Sequence, residues 1–429
     1  MFTQSIRLSG HIIDSLILPK VLDLIETAGA RYEIKEIDIG RSRHEISRAL
    51  IDIHLPDGGD PDQLLAQLAR HGVETADQAA DVTLQPAPAD GILPDDFYAT
   101  SHLDTAVRLE GHWIAVERIE MDCAIAIERR GTGRVHSLSV GVARRDRKPP
   151  AAPRALCLPM SDVRKGMPIV CGQHGVKTMP IDLDRQRGEF EFMASSVSTE
   201  KPKRLQIISL AKEIRACRRR GQRVLFVGGP AIVHTGAAPL LTRLIQAGWV
   251  TALFAGNALA AHDMEQQMFG TSLGVRMDSG KPVEHGHEHH LRTINRVRQA
   301  GSIAHAVRRG LIKGGIMHAC IKKKIPFVLA GSLRDDGPLP DVITDMLDAQ
   351  RAMRAVIPEV GVAVMVATTL HSIATGNCLP ARVRTVCVDI NPAVVTKLAD
   401  RGTFQALGLV MDSASFLREL CNELNVGRE

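Results

Sequence analysis

The sequence predicts an α/β protein in which a parallel, doubly wound sheet follows a small α+β domain and a β-rich segment. From about residue 201 to the end, apolar strand patterns alternate with helical patterns, which is typical of a parallel sheet covered by helices. Residues 1 to about 86 instead follow the order strand, helix, strand, strand, helix, strand of a ferredoxin-like domain. We therefore expect domains over residues 1–88, 89–200 and 201–429.

Composition and charge exclude several classes of protein. Of the 429 residues, 45% are hydrophobic, which is ample for the cores of several domains. The formal net charge is only +5 and the aromatic content 3%, which argues against a nucleic-acid partner. No apolar run reaches the roughly 18–20 residues that a membrane helix needs, and the first residues lack a secretory pattern. We expect a cytoplasmic protein without a membrane partner.

The eight cysteines are scattered along the chain and form no C-x-x-C pair. In a chain of this length without a secretory pattern, such cysteines are typical of reduced thiols. Most are expected to be small buried hydrophobic residues, and Cys387, inside a predicted strand, is the clearest example.

Period-two alternation and glycine or proline boundaries place the elements of the first two domains. In the first domain, the strands are predicted over residues 5–13, 32–39, 49–55 and 81–85, and the helices from Pro19 and over residues 61–68. In the second domain, the strands are predicted over residues 106–109, 113–116, 123–127, 135–142 and 167–171. Residues 143–154, rich in Arg and Pro, are expected to form a mobile surface loop whose arginines either contact phosphate or are simply solvated.

The third domain opens with a basic amphipathic helix over residues 205–220. Its arginine run at residues 218–220 suits the negative end of the helix dipole, so it requires no nucleic acid. The strands that follow are predicted over residues 224–227, 251–255, 327–330, 361–367, 383–388 and 406–410.

Polar residues follow the apolar strands of this third domain at four places. The richest is the loop of residues 331–341, where three carboxylates and an arginine come directly after a buried strand. Polar groups also follow three other strands, near Asn257, Thr368 and Asp389. In open α/β sheets ligands bind at the carboxyl edge of the strands, so these groups predict a binding site. A solvated turn is the alternative for the loop, because Gly, Pro and Asp are turn formers.

A glycine-rich turn over residues 228–237 connects the first of these strands to its helix. Such a turn lets backbone N–H groups approach a phosphate, although the G-x-G-x-x-G fingerprint of dinucleotide sites is absent. His234 within the turn is either functional or a satisfied core or loop histidine. Asp389 suits a ribose ligand, but its distance from the turn in sequence predicts a topology other than an ordinary Rossmann half. Asn391 is either a helix cap before Pro392 or a further ligand.

The run His285-Gly286-His287-Glu288-His289-His290 offers imidazole groups of the kind that bind zinc. Gly286 weakens a helix there, and no cysteine or fixed carboxylate set accompanies the histidines. We therefore expect a solvent-facing or substrate-gating loop rather than a metal site.

Five segments carry a family resemblance: residues 229–237, 255–258, 269–274, 331–341 and 388–395. Together they resemble the archaeal-type ornithine cyclodeaminase family, which is also similar to the carboxy-terminal part of bifunctional arginine dihydrolase/ornithine cyclodeaminase enzymes. The first hundred or so residues, with residues 10–14, resemble the conserved region of lysine-ketoglutarate reductase/saccharopine dehydrogenase, and the middle segment 89–123 matches too. The resemblance covers nearly the whole chain, apart from residues 143–154.

The resemblance implies a tightly held NAD that is used and regenerated while L-ornithine becomes L-proline and ammonia. It also implies a Rossmann-like sheet similar to that of deoxyhypusine synthase, which would account for the missing fingerprint, and we expect a homo-oligomer. Where the family often has Met in its A-T-M-L-H turn, this chain has Thr369, so a backbone contact there would persist and a side-chain contact would not. Together with the glycine turn, the resemblance gives a cofactor site of Gly229, Pro230, Asn257, Ala258, Asp335, Thr368, Thr369, Leu370, His371, Asp389 and Asn391.

The implied reaction needs a base for the α-ammonium group of the substrate and an acid for the departing ammonia. We expect Asp335 and Asp336 to be these catalytic groups, because neighbouring carboxylates in a cleft repel and separate their proton affinities. A helix cap or a pairing with Arg334 is the alternative for Asp336. Asp122 and Cys123 reach the site only if the middle domain folds over it.

Two other functions fit the same motifs. One is a net NAD-linked dehydrogenase of a basic amino acid, which would accumulate NADH. The other is a non-catalytic NAD or amino-acid sensor that uses the ferredoxin-like domain as a switch. Ammonia release without accumulation of NADH separates the cyclodeaminase from both.

Overall fold

The computed structural model describes residues 2–10, 12, 17–40, 45, 47–56, 58–69, 71, 73–75, 80–128, 153–179, 203–284, 286–333, 335, 337–400 and 406–426. These residues form two compact units. The first consists of the described residues up to 179 together with Pro380–Arg382, and the second of the other described residues from 203 onwards. No helix in these ranges is long and apolar enough to cross a membrane. The predicted strand 135–142 and most of the predicted loop 143–154 lie outside the described residues.

A four-stranded antiparallel sheet with two helices opens the first unit. Its strand order is β2-β3-β1-β4, which is the ferredoxin-like order and confirms that prediction. Alternate residues of β3 are buried and pack with apolar residues of both helices. The elements are β1 (Phe2–Gly10), α1 (Ile17–Thr27), β2 (Arg31–Asp38), β3 (Ser47–Leu55), α2 (Pro61–Ala69) and β4 (Glu74–Thr75).

A second, seven-stranded sheet completes the first unit, in the order β11-β6-β7-β9-β8-β10-β5. Two predictions were wrong here. The strand expected at residues 81–85 pairs with β10 of this sheet rather than with the first sheet, whose fourth strand has only two residues and therefore shows no alternation. A strand also begins at Arg154, the last residue of the predicted loop. The strands are β5 (Thr83–Pro86), β6 (Thr105–Leu109), β7 (His112–Glu117), β8 (Ala124–Glu128), β9 (Arg154–Leu158), β10 (Pro168–Cys171) and β11 (Val176–Thr178).

The second unit contains a seven-stranded sheet in which every pairing is parallel, as predicted. Helices connect most of its strands, and a separate small hairpin, β14 with β15, lies outside the sheet. The first half comprises α3 (Lys203–Arg219), β12 (Arg223–Gly228), α4 (Ala231–His234), α5 (Ala238–Gln246), β13 (Ala252–Gly256), α6 (Asn257–Phe269), β14 (Thr271–Ser272), β15 (Val275–Arg276), α7 (His289–Ala300), α8 (Ile303–Arg308) and α9 (Gly315–Lys323). The second half comprises β16 (Phe327–Ala330), β17 (Val342–Ile343), α10 (Met346–Val356), β18 (Val360–Val366), α11 (Thr369–Cys378), β19 (Arg384–Asp389), α12 (Pro392–Asp400), β20 (Ala406–Val410) and α13 (Ser413–Glu423).

The strand order of this sheet is β17-β16-β13-β12-β18-β19-β20. From β12 the chain adds β13, β16 and β17 on one side of this strand. It then returns and adds β18, β19 and β20 on the other side. Apart from the short edge strand β17, this is the order of an ordinary dinucleotide-binding sheet, so the predicted departure from that topology was wrong. The long sequence separation between the glycine turn and Asp389 led to this error. It arises because Asp389 ends the fifth strand of the dinucleotide-binding order and not the second.

Both faces of the parallel sheet are covered, which explains why its strands are continuous apolar runs. Val224 and Phe226 of β12 point to a core shared with α3, α5, α6, α9 and α13. Leu225 and Val227 point to the opposite core, which α10, α11 and α12 cover. All seven residues of β18 are buried, so this strand lies at the centre of the unit.

All eight cysteines are buried and free, and their burial confirms the expectation of small buried residues. Cys387 lies in the central part of the sheet and is 1% exposed. In the first unit, the Cys123 thiol donates a hydrogen bond to Glu120 Oε1 at 3.1 Å.

Asp263 holds the beginning of α9. Its two carboxylate oxygens accept the backbone N–H groups of Ile316 and Met317, at 2.8 and 2.9 Å. The N-cap residue of α9 is Gly314, which has no side chain to do this. Asp263 is fully buried, and this burial raises the pKa of its carboxyl to about 6, although the two N–H groups oppose the shift.

We predict that Asp263→Ala lowers the free energy of unfolding by about 2–4 kcal/mol, because two buried N–H groups lose their acceptor. Asp345→Ala is the matched control, since Asp345 caps α10 at an exposed helix end through the Asp348 N–H at 2.9 Å. It is expected to cost about 1 kcal/mol. Urea denaturation at pH 7 measures both, and equal losses would contradict this account of Asp263.

Candidate functional site

The carboxyl edge of the parallel sheet carries the residues predicted to form the site. Each group follows a different strand: Gly229 and Pro230 follow β12, Asn257 and Ala258 open α6 after β13, Asp335 follows β16, Thr368, Thr369, Leu370 and His371 lie at the start of α11 after β18, and Asp389 and Asn391 lie at the end of β19. Asp336 and Arg334 lie outside the described residues. Five of the seven strands therefore contribute to one edge.

The segments that follow β12 and β18 lie close together at Gly229. Its N–H donates to the carbonyl oxygen of Val366 at 3.0 Å. A Cβ atom on Gly229 would lie 1.8 Å from the carbonyl oxygen of Ala367, so no larger residue fits here without a backbone shift. Ala367 itself has a φ of +54°, a left-handed conformation that is uncommon for alanine and that clusters at functional sites.

Asn257 fastens the loop after β16 to the start of α6. Its Oδ1 accepts the N–H of Leu339 at 3.0 Å, and its Nδ2 donates to the carbonyl oxygen of Gly337 at 3.4 Å. The side chain is only 5% exposed. This part of the loop is therefore held in place, and the side chain of Asn257 positions the loop at the N-terminus of α6.

The carboxylate of Asp335 is engaged within its own loop. It accepts the N–H of Ser332 at 2.9 Å and the hydroxyl of Ser332 at 3.1 Å. These bonds are those of a turn, which was the alternative reading of this segment. Asp335 nevertheless acts on His371, because its negative charge favours the protonated ring.

His371 extends from α11 over the ends of two other strands. A Cβ on Gly256, at the end of β13, would lie 3.0 Å from His371 Cε1. Burial lowers the pKa of the ring, while Asp335 and a hydrogen bond to the backbone of Ala330 oppose that shift. Because β12 lies between β18 and β13, the imidazole crosses the centre of the carboxyl edge.

Asp389 and Asn391 form a short hydrogen-bonded series before α12. Asp389 Oδ1 accepts the Asn391 N–H at 2.9 Å, and Asn391 Oδ1 accepts the Ala393 N–H at 3.0 Å. Asn391 is thus the N-cap of α12, with Pro392 at the first helical position. Among the described residues, Asp389 Oδ2 has no hydrogen-bond partner, so it can accept one from a ligand.

Three large apolar side chains at this edge are exposed. They follow β16, β18 and β19, and their relative exposures are 112% for Leu333, 77% for Leu370 and 75% for Ile390. Apolar groups that surround a polar cleft are typical of binding surfaces.

A largely buried polar cluster lies beside this edge, and only its His234 was a candidate from the sequence. His262 Nδ1 lies 2.8 Å from Glu265 Oε2, and the ring of His234 lies edge-on to the ring of His262, with centroids 4.7 Å apart. Thr271 Oγ1 donates to Glu265 Oε1 at 2.9 Å, and Ser272 Oγ lies 2.7 Å from His234 Nδ1. The pairing of His262 and Glu265 at positions i and i+3 of a helix was the available signal.

Burial sets the proton affinities in this cluster. It lowers the pKa of His234 to about 4, with a further decrease from the neighbouring His262 and an opposing effect of Glu265. For Glu265, burial alone would raise the pKa, but the hydrogen bonds from His262, Thr271 and the Gly274 N–H outweigh it and hold the pKa below its usual value. Glu265 is therefore a buried carboxylate, and His234 a neutral imidazole at pH 7.

The histidine run lies partly in a helix, so the prediction of a loop was wrong for its last two residues. His289 and His290 open α7, and Gly286 affects only the turn before it. The His289 ring stacks on Phe269 with centroids 4.5 Å apart, and the His290 ring lies 6.0 Å from that of His262. His285 lies outside the described residues, and within the described part of the chain no group of three or more His, Cys, Asp or Glu side chains could hold a metal ion.

Three family models together match most of the chain. Residues 208–420 match the C-terminal Rossmann fold of the ArgZ-like arginine dihydrolases, and residues 104–207 match the first region of the same C-terminal part. Residues 3–103 match the conserved region of the LOR/SDH bifunctional enzyme.

Individual proteins are similar over the full length. The chain is 46% identical over 425 residues to the ornithine cyclodeaminase of Methanothermobacter thermautotrophicus, which covers 99% of this chain and 98% of that protein. It is 39% identical over 427 residues to AgrE of Nostoc, a bifunctional arginine dihydrolase/ornithine cyclodeaminase, covering 99% of this chain and 58% of AgrE.

The crystal structure of the ternary complex of AgrE with ornithine and NAD+ superposes with a TM-score of 0.51 at 37% identity, covering 99% of this chain and 57% of that one. The apo structure of ArgZ gives a TM-score of 0.79 at 34% identity, covering 99% and 58%.

We predict that Gly229→Ala lowers the free energy of unfolding by at least about 2 kcal/mol, because the added methyl group meets the Ala367 carbonyl. Gly331→Ala at the end of β16 is the matched control. Its Cβ would meet Thr344 Cα at 3.3 Å, which small shifts relieve. Denaturant midpoints of the two variants should differ clearly, and equal midpoints would show that the approach at Gly229 is not close.

Proposed function

The chain belongs to the ornithine cyclodeaminase family, and from this membership we propose that it converts L-ornithine to L-proline and ammonia with a bound, recycled NAD. The observation that carries the proposal is the carboxyl edge of the parallel sheet. There Gly229 lies close against the end of β18, and Asp389 Oδ2, which has no partner among the described residues, suits a dinucleotide. The ornithine and NAD+ held by AgrE support the same pair of ligands for this chain.

The residues at this edge fit NAD without the G-x-G-x-x-G fingerprint. Glycines end β12 and β13, so no side chain of these two residues covers the backbone there. A Cβ would lie 2.9 Å from Leu259 Cδ1 at Gly228 and 3.0 Å from His371 Cε1 at Gly256. The carboxylate of Asp389 can accept hydrogen bonds from ribose hydroxyl groups through Oδ2. Pro230, Ala258, Thr368, Thr369, Leu370 and Asn391 complete the proposed cofactor site.

When bound, NAD supplies reversible hydride transfer, so that the net conversion of ornithine requires no external oxidant. The protein has to hold the substrate at the same edge, exclude water and move protons. The side chain of His371 lies across the centre of the edge. Its ring is mostly buried and can form one wall of the cleft. Asp335, which acts on His371 and accepts two hydrogen bonds from Ser332, keeps the loop after β16 in position.

For the proton transfers, we propose Asp335 and Asp336 as acid and base, as the sequence suggests. The two bonds to Ser332 make Asp335 better suited to fixing the loop or contacting the cofactor. This leaves Asp336 as the preferred catalyst of the pair.

We predict that the purified protein carries NAD(H) and releases one ammonia and one proline per ornithine, without net NADH. Denaturing the protein and assaying the supernatant measures the nicotinamide. Product analysis and absorbance at 340 nm during turnover measure the reaction. Steady accumulation of NADH would identify a dehydrogenase of a basic amino acid instead, and binding of NAD and ornithine without turnover would identify a sensor.

We predict that Asp389→Ala weakens NAD binding, because each charge-assisted hydrogen bond to ribose contributes about 1.5–3 kcal/mol. Asp412→Ala is the matched control: this carboxylate follows the neighbouring strand β20 and caps α13 through the Ser415 N–H at 2.8 Å. Calorimetric titration of the NAD-depleted proteins measures both affinities. Wild-type affinity in a folded Asp389→Ala protein would assign Asp389 to the turn alone.

A further inference from the structure

Burying the polar and charged groups of the cluster formed by His234, His262 and Glu265 costs free energy, and apolar side chains could fill the same space. Replacing buried ionic and polar groups by apolar ones of similar volume is often neutral or stabilising. Glu265 is completely buried and His262 is 8% exposed. Titratable groups held together in this way beside a cleft are typical of sites that transfer protons.

The hydrogen bonds of the cluster fix the orientation of His262. Glu265 accepts from Thr271 and from the Gly274 N–H through Oε1, and its Oε2 faces His262 Nδ1. A carboxylate at Nδ1 places the proton on that nitrogen and leaves Nε2 as the exchanging atom. Among the described residues, every hydrogen bond of the His234 and His262 rings runs through Nδ1, so both Nε2 atoms remain available to a substrate.

The cluster lies beside the carboxyl edge of the sheet. His234 ends α4, which begins directly after the glycine turn of β12, and α4 packs against α6. His262 is in the second turn of α6, five residues after Asn257, which corresponds to about 7–8 Å along the helix. The two rings therefore lie beside the ends of β12 and β13, on the face of the sheet that α4 and α6 cover.

We propose that His262 is a catalytic residue that carries a proton between the two nitrogen atoms of ornithine, with Glu265 and His234 as its positioning residues. This inference rests on the proposed function. It gives the role of acid for the departing ammonia to His262 and leaves to Asp336 the deprotonation of the α-ammonium group before oxidation.

The proton transfer balances within the substrate. After oxidation at C2 to the iminium, the δ-nitrogen attacks this carbon. A new C–N bond forms, the π bond of the iminium breaks with its electron pair on the α-nitrogen, and the δ-nitrogen gives one proton to His262 Nε2. His262 then gives that proton to the α-nitrogen, and the bond from C2 to the α-nitrogen breaks with its electron pair on the departing ammonia. The lone pair of the ring nitrogen forms the C=N bond of the cyclic imine. One imidazole thus serves first as base and then as acid, the role in proton transfer for which histidine is the side chain most often used.

The variant His262→Asn tests the proposal. Asn keeps an N–H donor where Nδ1 faces Glu265 but removes Nε2, so the packing and the hydrogen bond to Glu265 are conserved. We expect ammonia release to fall by about 10²–10⁴-fold, the usual contribution of a positioned proton-transfer group. Because the shuttle acts after oxidation, bound NADH should build up at 340 nm when ornithine is added. The NAD(H) content and the ornithine Kd measured by calorimetry should remain those of the wild type.

His305→Asn is the matched control. His305 is an exposed histidine bonded to Ser302 on α8, and this variant should turn over ornithine normally. Glu265→Gln is the second variant and carries the test if His262→Asn does not fold. Its amide donates to Nδ1 and reverses the tautomer of His262, so the same build-up of NADH with slow ammonia release is expected.

Two results would overturn the proposal while the wild type converts ornithine. One is normal ammonia release by either variant. The other is slow release without any build-up of bound NADH, which would place the defect before ring closure or in the fold. A wild type that does not convert ornithine refutes the proposed function itself, and the shuttle with it.

Discussion

The close approach of β12 and β18 is the constraint on which the site depends. These two strands are neighbours, yet the segments that follow them lie on opposite faces of the sheet. The helix α4 contributes Ile232 and Val233 to one core, and α11 contributes Cys378 to the other. A crevice must open where such connections diverge. The absence of a side chain at Gly229 and the left-handed backbone of Ala367 allow the two strand ends to meet at its base.

Helix α6 shows how one buried helix uses two carboxylates differently. Asp263 accepts hydrogen bonds from only two backbone N–H groups. Their effect is smaller than that of burial, so the pKa of its carboxyl is raised. Two residues later, Glu265 receives bonds from His262, Thr271 and Gly274, and its pKa falls although it is equally inaccessible. Asp263 therefore fixes another helix, while Glu265 stays ionised and orients a histidine. The number of donors decides between these outcomes.

Much of the parallel sheet could be predicted from the sequence, because buried strands are long apolar runs and their ends carry polar residues. The strands predicted at 327–330 and 406–410 have the observed bounds. The two-residue strands β4 and β17 were missed, since so few residues show no period. The topology of the sheet was also misjudged. Strand order depends on the side of β12 to which the chain returns, and neither the spacing of motifs nor the composition indicates this side.

The candidate site was predicted at the level of the sheet edge but not at the level of bonds. The bonds of Asp335 to Ser332 and of Asn257 to the loop after β16 are decided by the folded backbone. His262 and Glu265 were overlooked because a histidine and a glutamate on a helix look like a solvated face when burial is unknown. Only tertiary packing buries every residue of α6 from Leu259 to Glu265.

Buried thiols lie in both units, so the reactivity of each thiol reports the local opening of the segment around it. Cys123, Cys157 and Cys171 lie in the first unit, and Cys217, Cys320, Cys378, Cys387 and Cys421 in the second. Burial raises the pKa of Cys387 to about 12 and that of Cys421 to about 11, so in the closed molecule these groups are neither accessible nor nucleophilic. Alkylation of a given cysteine therefore waits for the surrounding segment to unfold, and its rate reports the free energy of that opening. The chain thus carries a set of intrinsic probes that distinguish the fraying of one unit from the loss of the other.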